Sequence, residues 1–188
     1  MSIAVALAAD KDAVPFRPAP AASYLHHQTN AQVTIGADPY VAEDKVKTAF
    51  GKLNPYQLGV LPVLVVIQND GDKAIRLDHL KVEYAGPNRD RVEATPAKDV
   101  RYLRGPKTPL GIPGPGGRIK VLKPKKNPLE AWEIEGRAFA AQMLPPTQSA
   151  SGFFYFQTGL QRGATIYLSG FTEAGTGKQL MYFEIPLQ

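Results

Sequence analysis

Residues 60–67 read VLPVLVVI, and this run constrains the fold more than any other stretch of the chain. Branched aliphatics with no polar interruption suit a strand covered on both faces or lying mid-sheet in a sandwich, and the run is too short to cross a bilayer as a helix. Asn69-Asp70-Gly71-Asp72 follows. Asp-Gly between two apolar runs is a strong hairpin signal, because both residues take positive φ at low cost. The second strand of that hairpin is expected to run to Tyr84. Pro62 cannot donate to a ladder, so it belongs in the strand's first turn or on an edge-facing bond. Ile75 and Leu77 share one parity while Leu80, Val82 and Tyr84 take the other, which predicts a bulge or break at Asp78-His79.

The rest of the chain supplies more strands and two helices. Val33, Ile35 and Ala37 alternate with small or polar residues, predicting a strand over 32–37. Val46, Ala49, Phe50 and Leu53 recur at helical spacing, so 43–50 is expected as a helix stopped at Gly51. A Gly86-Pro87-Asn88 turn leads to a short strand at 91–95, with a further candidate at 100–103. Nine Gly or Pro occupy the thirteen positions 105–117, a composition that predicts a loop with neither helix nor ladder. Asn127, Pro128 and Glu130 read as N-cap, first helical residue and capping-box acid of a second helix over 128–143. Its buried face would be Leu129, Trp132, Phe139 and Met143, and Pro145-Pro146 would end it. Strands are predicted at 152–158, 164–171 and 178–186, with Phe154 and Phe156 pointing one way and Phe153 and Tyr155 the other. The last two are joined by a loop of hairpin length at 173–177. Six to eight short strands with turns between them describe a mainly β chain, an antiparallel β-sandwich with two inserted short helices. The expected core is Val63, Val65, Ile67, Leu77, Val82, Phe154, Phe156, Ile166, Leu168 and Phe183, and a partly open barrel is the alternative if the sheets join at both edges.

At 188 residues the chain is long enough to bury a core without a metal or a disulfide. It contains no cysteine, which excludes a disulfide framework, a thiolate metal site, a cysteine nucleophile and lipidation at an N-terminal cysteine. Residues 1–9 carry a short apolar run and an Ala6-Leu7-Ala8 site, and are read as the remnant of an export signal or as a disordered end. Residues 10–31 are a Pro/Ala-rich extended linker, poorly ordered unless it lies along the domain. Residues 32–188 form the β-sandwich domain. No stretch is apolar for long enough to be a transmembrane helix.

The succession of a short amphipathic helix, LGVLPVLVVIQNDGDKAIRLDHLKVEY, MLPPTQSASGFFYFQTG, GATIYLSGF and LMYFEIPL resembles a group of uncharacterised bacterial envelope proteins with an immunoglobulin-like β-sandwich. The resemblance spans roughly residues 42–187. It implies an immunoglobulin-like fold and a periplasmic or extracellular location, with another envelope protein or a surface polymer as partner. Members are often lipoproteins, and this chain lacks the cysteine for that anchor. Fold alone does not assign an activity.

No motif identifies a small-molecule substrate or a cofactor. Gly175-Thr176-Gly177-Lys178 lacks the spacing and the hydroxyl residue of a phosphate loop, and reads as a hairpin turn. Ile119 stands where a dinucleotide fingerprint beginning in the 114–117 run needs its third glycine. The 69–72 segment lacks calcium-loop ligand spacing. His26 and His27 are adjacent and point to opposite sides of an extended segment, so they do not share a metal. Only His79 beside Asp78 is eligible as a catalytic base, and no nucleophile turn accompanies it. Glu130, Glu133 and Glu135 are accounted for by capping and a solvated helix face. The reading is therefore non-enzymatic: an exported interaction or scaffold module. The marked asymmetry is of charge. Nine basic residues and one acid fall between positions 98 and 126, a local net of +8 in a chain of net +5. Arg101, Arg104, Lys107, Arg118, Lys120, Lys123, Lys125 and Lys126 form the candidate anion-binding set, for surface polysaccharide, anionic lipid or nucleic acid. An enzyme of unrecognised type is the third hypothesis, and a deep polar pocket with convergent ionisable groups would favour it.

Overall fold

The computed structural model describes residues 16–88, 90–100, 112–113, 119–120, 128–180 and 182–188. In chain order its elements are β1 (His27–Asn30), β2 (Val33–Pro39), α1 (Glu43–Phe50), β3 (Leu61–Asn69), β4 (Ile75–Arg76), β5 (Lys81–Ala85), β6 (Arg91–Glu93), α2 (Ala97–Val100), β7 (Ile112–Pro113) and β8 (Ile119–Lys120). After these come α3 (Trp132–Gly136), β9 (Met143–Leu144), β10 (Ser149–Phe156), β11 (Thr165–Ser169), β12 (Thr172–Glu173) and β13 (Phe183–Pro186). The protein is mainly β. Two four-stranded antiparallel sheets, ordered β1-β2-β3-β10 and β13-β11-β5-β6, are accompanied by a three-stranded sheet β12-β4-β9 and the pair β7-β8.

β3 lies between β2 and β10 and is buried on both faces, as the unbroken aliphatic run requires. Successive side chains of a strand point to opposite faces. Leu61, Val63, Val65 and Ile67 therefore join one cluster, with Val82, Tyr84, Ile166, Leu168, Phe183 and Ile185 of the second sheet. Leu64 and Val66 join another on the reverse face, with Phe153, Tyr155 and the buried Val46, Ala49 and Phe50 of α1. Each fully buried aliphatic or phenylalanine side chain contributes roughly 1.5–3 kcal/mol, so both clusters are substantial. All ten residues of the expected core belong to the first cluster, Phe154 as a half-buried member. The expected opposition of Phe154/Phe156 to Phe153/Tyr155 is observed. Helix α1 has the expected bounds and stops at Gly51, whose φ is 62°.

Four expectations need correction. Asp70-Gly71 turns the chain but makes no hairpin, because β4 pairs with β12 and β9 rather than with β3. β3 has no free edge: β2 and β10 occupy both sides along its length. Asp70 acts at that end of the sheet instead, accepting hydrogen bonds from Thr34 Oγ1 at 2.8 Å and Gln68 Nε2 at 2.6 Å. The anticipated break at Asp78-His79 is present, as the turn between β4 and β5.

The helix expected over 128–143 is reduced to Trp132–Gly136, preceded by Ala131 with no side-chain cap, and Asn127 lies outside the described residues. Trp132 and Met143, placed on its buried face, are 69% and 54% exposed. The competing interaction is sheet pairing. Phe153 N–H donates to Arg137 O at 2.8 Å and Phe139 N–H to Phe153 O at 3.1 Å, so 137–139 runs beside β10. A short helix is marginal without a packed face, and the apolar residues here gain more against the sheet.

Residues 112–113, inside the segment expected to have no ladder, pair with 119–120 just beyond it. Two residues per strand is a length that Gly- and Pro-rich chain tolerates between its punctuating residues. Residue 100, expected at the start of a strand, ends α2, and 101–103 fall outside the described residues. The 16–31 segment lies along the domain: Ala21 is fully buried, and Gly36 is approached so closely by Ala21 O and Tyr24 that a Cβ there would stand 2.5 Å from that oxygen. The segment also contributes β1, which the composition did not announce.

Candidate functional site

Of the candidate anion-binding set, Arg101, Arg104, Lys107, Arg118, Lys123, Lys125 and Lys126 lie outside the described residues, and Lys120 is placed only as a backbone position in β8. Lys98 sits exposed on α2.

The histidines are separated. His27 Nδ1 meets Tyr24 O at 2.8 Å. His79 is exposed 3.5 Å from Asp78 Oδ2, but that carboxylate is engaged by Arg76 through two hydrogen bonds, which hold its pKa below the usual aspartate value. Among the described residues no group of three or more His, Asp or Glu is arranged to hold a metal ion. No helix among them is long and apolar enough to cross a membrane.

Two surfaces carry concentrated chemistry. The first is the outward face of β13-β11-β5-β6. Register places Tyr167 opposite Glu184 on one side and Glu83 on the other, and Glu83 opposite Glu93, so one row across the sheet reads Glu184, Tyr167, Glu83, Glu93. The inward parity of these strands is taken by Val82, Ile166, Phe183 and Ile185, which is why this set faces out. Tyr182, 50% exposed, stacks on Tyr167 with ring centroids 5.0 Å apart. Arg91 lies over the Tyr167 ring at 4.9 Å and donates to Glu83 Oε2 at 3.1 Å. Exposed ion pairs of this kind contribute about 0–1 kcal/mol. They fix side-chain positions more than they stabilise the fold.

The second surface surrounds Arg137. A cleft is lined by Phe16, Pro18, Gly136, Arg137, Ala138, Ser151 and Gly152. The guanidinium lies 4.9 Å from the Phe16 ring centroid and 6.0 Å from that of Trp132. Phe16 is itself held by stacking on Phe153 at 5.6 Å. The Trp132 ring packs over Gly136, where an added Cβ would stand 2.9 Å from it. Arg137 Nε is buried without a hydrogen-bond partner, and among the described residues no carboxylate pairs with this side chain. An orphaned donor of this kind costs about 1–3 kcal/mol. Sequence reasoning missed both surfaces. The alternation around Tyr167 was legible as a strand but not as one row with Glu83, Glu93 and Glu184, and Arg137 was placed on a helix that is not there.

No family model matches the chain and no curated protein matches it. A solved structure similar to it is described as a functionally unknown protein from Listeria monocytogenes EGD-e. The match has 12% identity over 86% of this chain and 80% of that one, with a TM-score of 0.36. A likeness at that level assigns neither a function nor a fold family.

Proposed function

We propose that this chain is a non-enzymatic interaction or scaffold module with an immunoglobulin-like β-sandwich architecture, exported to the bacterial envelope. It would engage a protein partner through the outward face of β13-β11-β5-β6. The observation that carries the reading is the row Glu184, Tyr167, Glu83 and Glu93 with Tyr182 and Arg91 set into it. Tyrosine and arginine are the side chains that most often anchor protein interfaces, and here stacking and an ion pair hold them in place before any partner arrives. The opposite four-stranded sheet is covered on both faces of β3, whereas among the described residues this sheet presents an outward face bearing Tyr167 and charged side chains. Two antiparallel sheets around a common core support the sandwich assignment.

The test compares affinity capture from an envelope extract by the parent and by the Tyr167→Ser, Tyr182→Ser double variant. Both side chains are on the outer face, so the variant is expected to fold. A partner retained by the parent and lost by the variant supports the reading, and identical capture removes it. Fractionation of cells expressing the gene from its native start tests the location, and recovery of uncleaved protein from the cytosol opposes export. A second reading, binding of an anionic polymer through the 98–126 segment, rests on that segment's net charge of +8. It requires binding that weakens steeply with salt.

A further inference from the structure

We propose that the Arg137 cleft is a binding site for an acidic sugar, in which Arg137 receives the carboxylate and Trp132 the face of the pyranose ring. The site lies away from the Tyr167 row and does not depend on it. Three independent features converge here. Arg137 lines the cleft with no carboxylate partner among the described residues; its Nε is buried behind the guanidinium, and the two terminal Nη nitrogens form the fork that a planar carboxylate accepts in bidentate fashion. Two rings lie close to the guanidinium, Phe16 at 4.9 Å and Trp132 at 6.0 Å, and cation–π attraction to them favours its place at the cleft. Trp132 is 69% exposed although it is the largest apolar side chain nearby, and its ring rests on the bare Cα of Gly136. A rigid, solvent-facing indole is a stacking platform for a flat ligand face.

The charge in the cleft selects among anions. Its other lining residues, Phe16, Pro18, Gly136, Ala138, Ser151 and Gly152, add no charge. One cation matches one negative charge, so a carboxylate fits and a phosphate dianion would remain half-compensated. Ser151 adds a hydroxyl able to donate to or accept from a sugar hydroxyl. The apolar walls suit the C–H face of the same ring.

The chain contains one tryptophan, so its fluorescence reads the site directly. Glucuronate and galacturonate, as short oligomers, are titrated into the full chain, with their methyl esters, neutral glucose oligomers, acetate and inorganic phosphate as comparisons. The expected result is a saturable change in Trp132 emission with the uronates, weaker by at least tenfold with the esters and the neutral sugars. Arg137→Lys, which keeps the charge and loses the fork, is expected to reduce uronate affinity about tenfold with unchanged circular dichroism. If Arg137→Lys fails to fold, amide chemical-shift changes in the parent take its place, and they are expected to cluster at residues 136–138 and 151–152. Three results would overturn the proposal: no saturable response to either uronate, equal responses to uronates and their esters, or a phosphate response stronger than the uronate one. Acetate binding as tightly as the oligomers would remove the sugar component as well.

Discussion

Gln28 Oε1 accepts a hydrogen bond from the main-chain N–H of Glu184 at 2.8 Å. The bond crosses from the edge strand of one sheet to the edge strand of the other. At a second margin Thr95 N–H donates to Tyr155 O at 2.7 Å. The two sheets thus touch at two margins, by one side-chain hydrogen bond at one and one isolated main-chain bridge at the other, which falls short of the continuous ladders that would join them into a barrel. Unpaired strand edges template unwanted pairing, and here the edge of β13 is blunted by a single glutamine.

Replacing Gln28 with Ala should leave the Glu184 amide without that partner. The expected cost is about 0.5–1.5 kcal/mol, with hydrogen exchange accelerated at Glu184 more than at Phe183 or Ile185. Unchanged exchange at Glu184 would show that the edge is protected by something other than this side chain.

Two glycines separate the cost of crowding from the cost of conformation. Gly152→Ala would place a Cβ 2.4 Å from the Phe139 Cα, at the point where 137–139 pairs with β10, and is expected to cost roughly 3 kcal/mol or more. Gly163→Ala meets nothing within 4 Å but sits at φ 79°, so about 1–2 kcal/mol is expected from backbone strain alone. Urea denaturation of both variants checks the order, and a Gly163 cost equal to that of Gly152 would contradict it.

The pH limits of stability should be set at opposite ends by different groups. Burial raises the phenol pKa values of Tyr40 and Tyr155 above the ordinary 10.0, with nearby Arg137 opposing the rise. A folded-state pKa above the unfolded one contributes stability below pH 10 that is lost as the pH rises from there toward the folded value. On the acid side, hydrogen bonds from Lys73 and Arg76 lower Glu173 and Asp78. Their contribution is present above the ordinary carboxylate values of 4.5 and 3.8 and is lost as the pH falls through the lower folded ones. Their partners Lys73 and Arg76 are about half exposed, so the acid effect should be small and weakened by salt. Melting temperature followed across pH should decline gently below pH 4 and steeply above pH 10. Phenolate absorbance that titrates fully at pH 10 before unfolding would refute the alkaline half.

The sequence disclosed what local periodicity governs. Val46, Ala49 and Phe50 specified α1 because three buried side chains at helical spacing have no competing partner. Phe153 to Phe156 specified two faces because a strand's period is two. Pairing choices were not legible. Nothing in the neighbourhood of Asp70-Gly71 states that β10, some eighty residues later, already occupies the edge a hairpin would need. Nothing near Trp132 states that Gly152 admits Ala138 and Phe139 against β10. The same holds for function: Trp132 was read as part of a helix's buried face and Arg137 fell unremarked within the same predicted helix, whereas the helix stops at Gly136 and Arg137 lines a cleft beside it.

Because β3 serves two clusters of different shape, its substitutions are judged twice. At Val63, Val65 and Ile67 the judge is the space shared with the second sheet. At Leu64 and Val66 it is the space beneath α1. A polar residue has no tolerated position between 61 and 67, whichever parity it takes, and a one-residue insertion would exchange the two sets at once. The permitted vocabulary of this strand is therefore confined to aliphatics of near-equal volume, whereas β1, exposed at alternate positions, can drift in composition and still be the same strand.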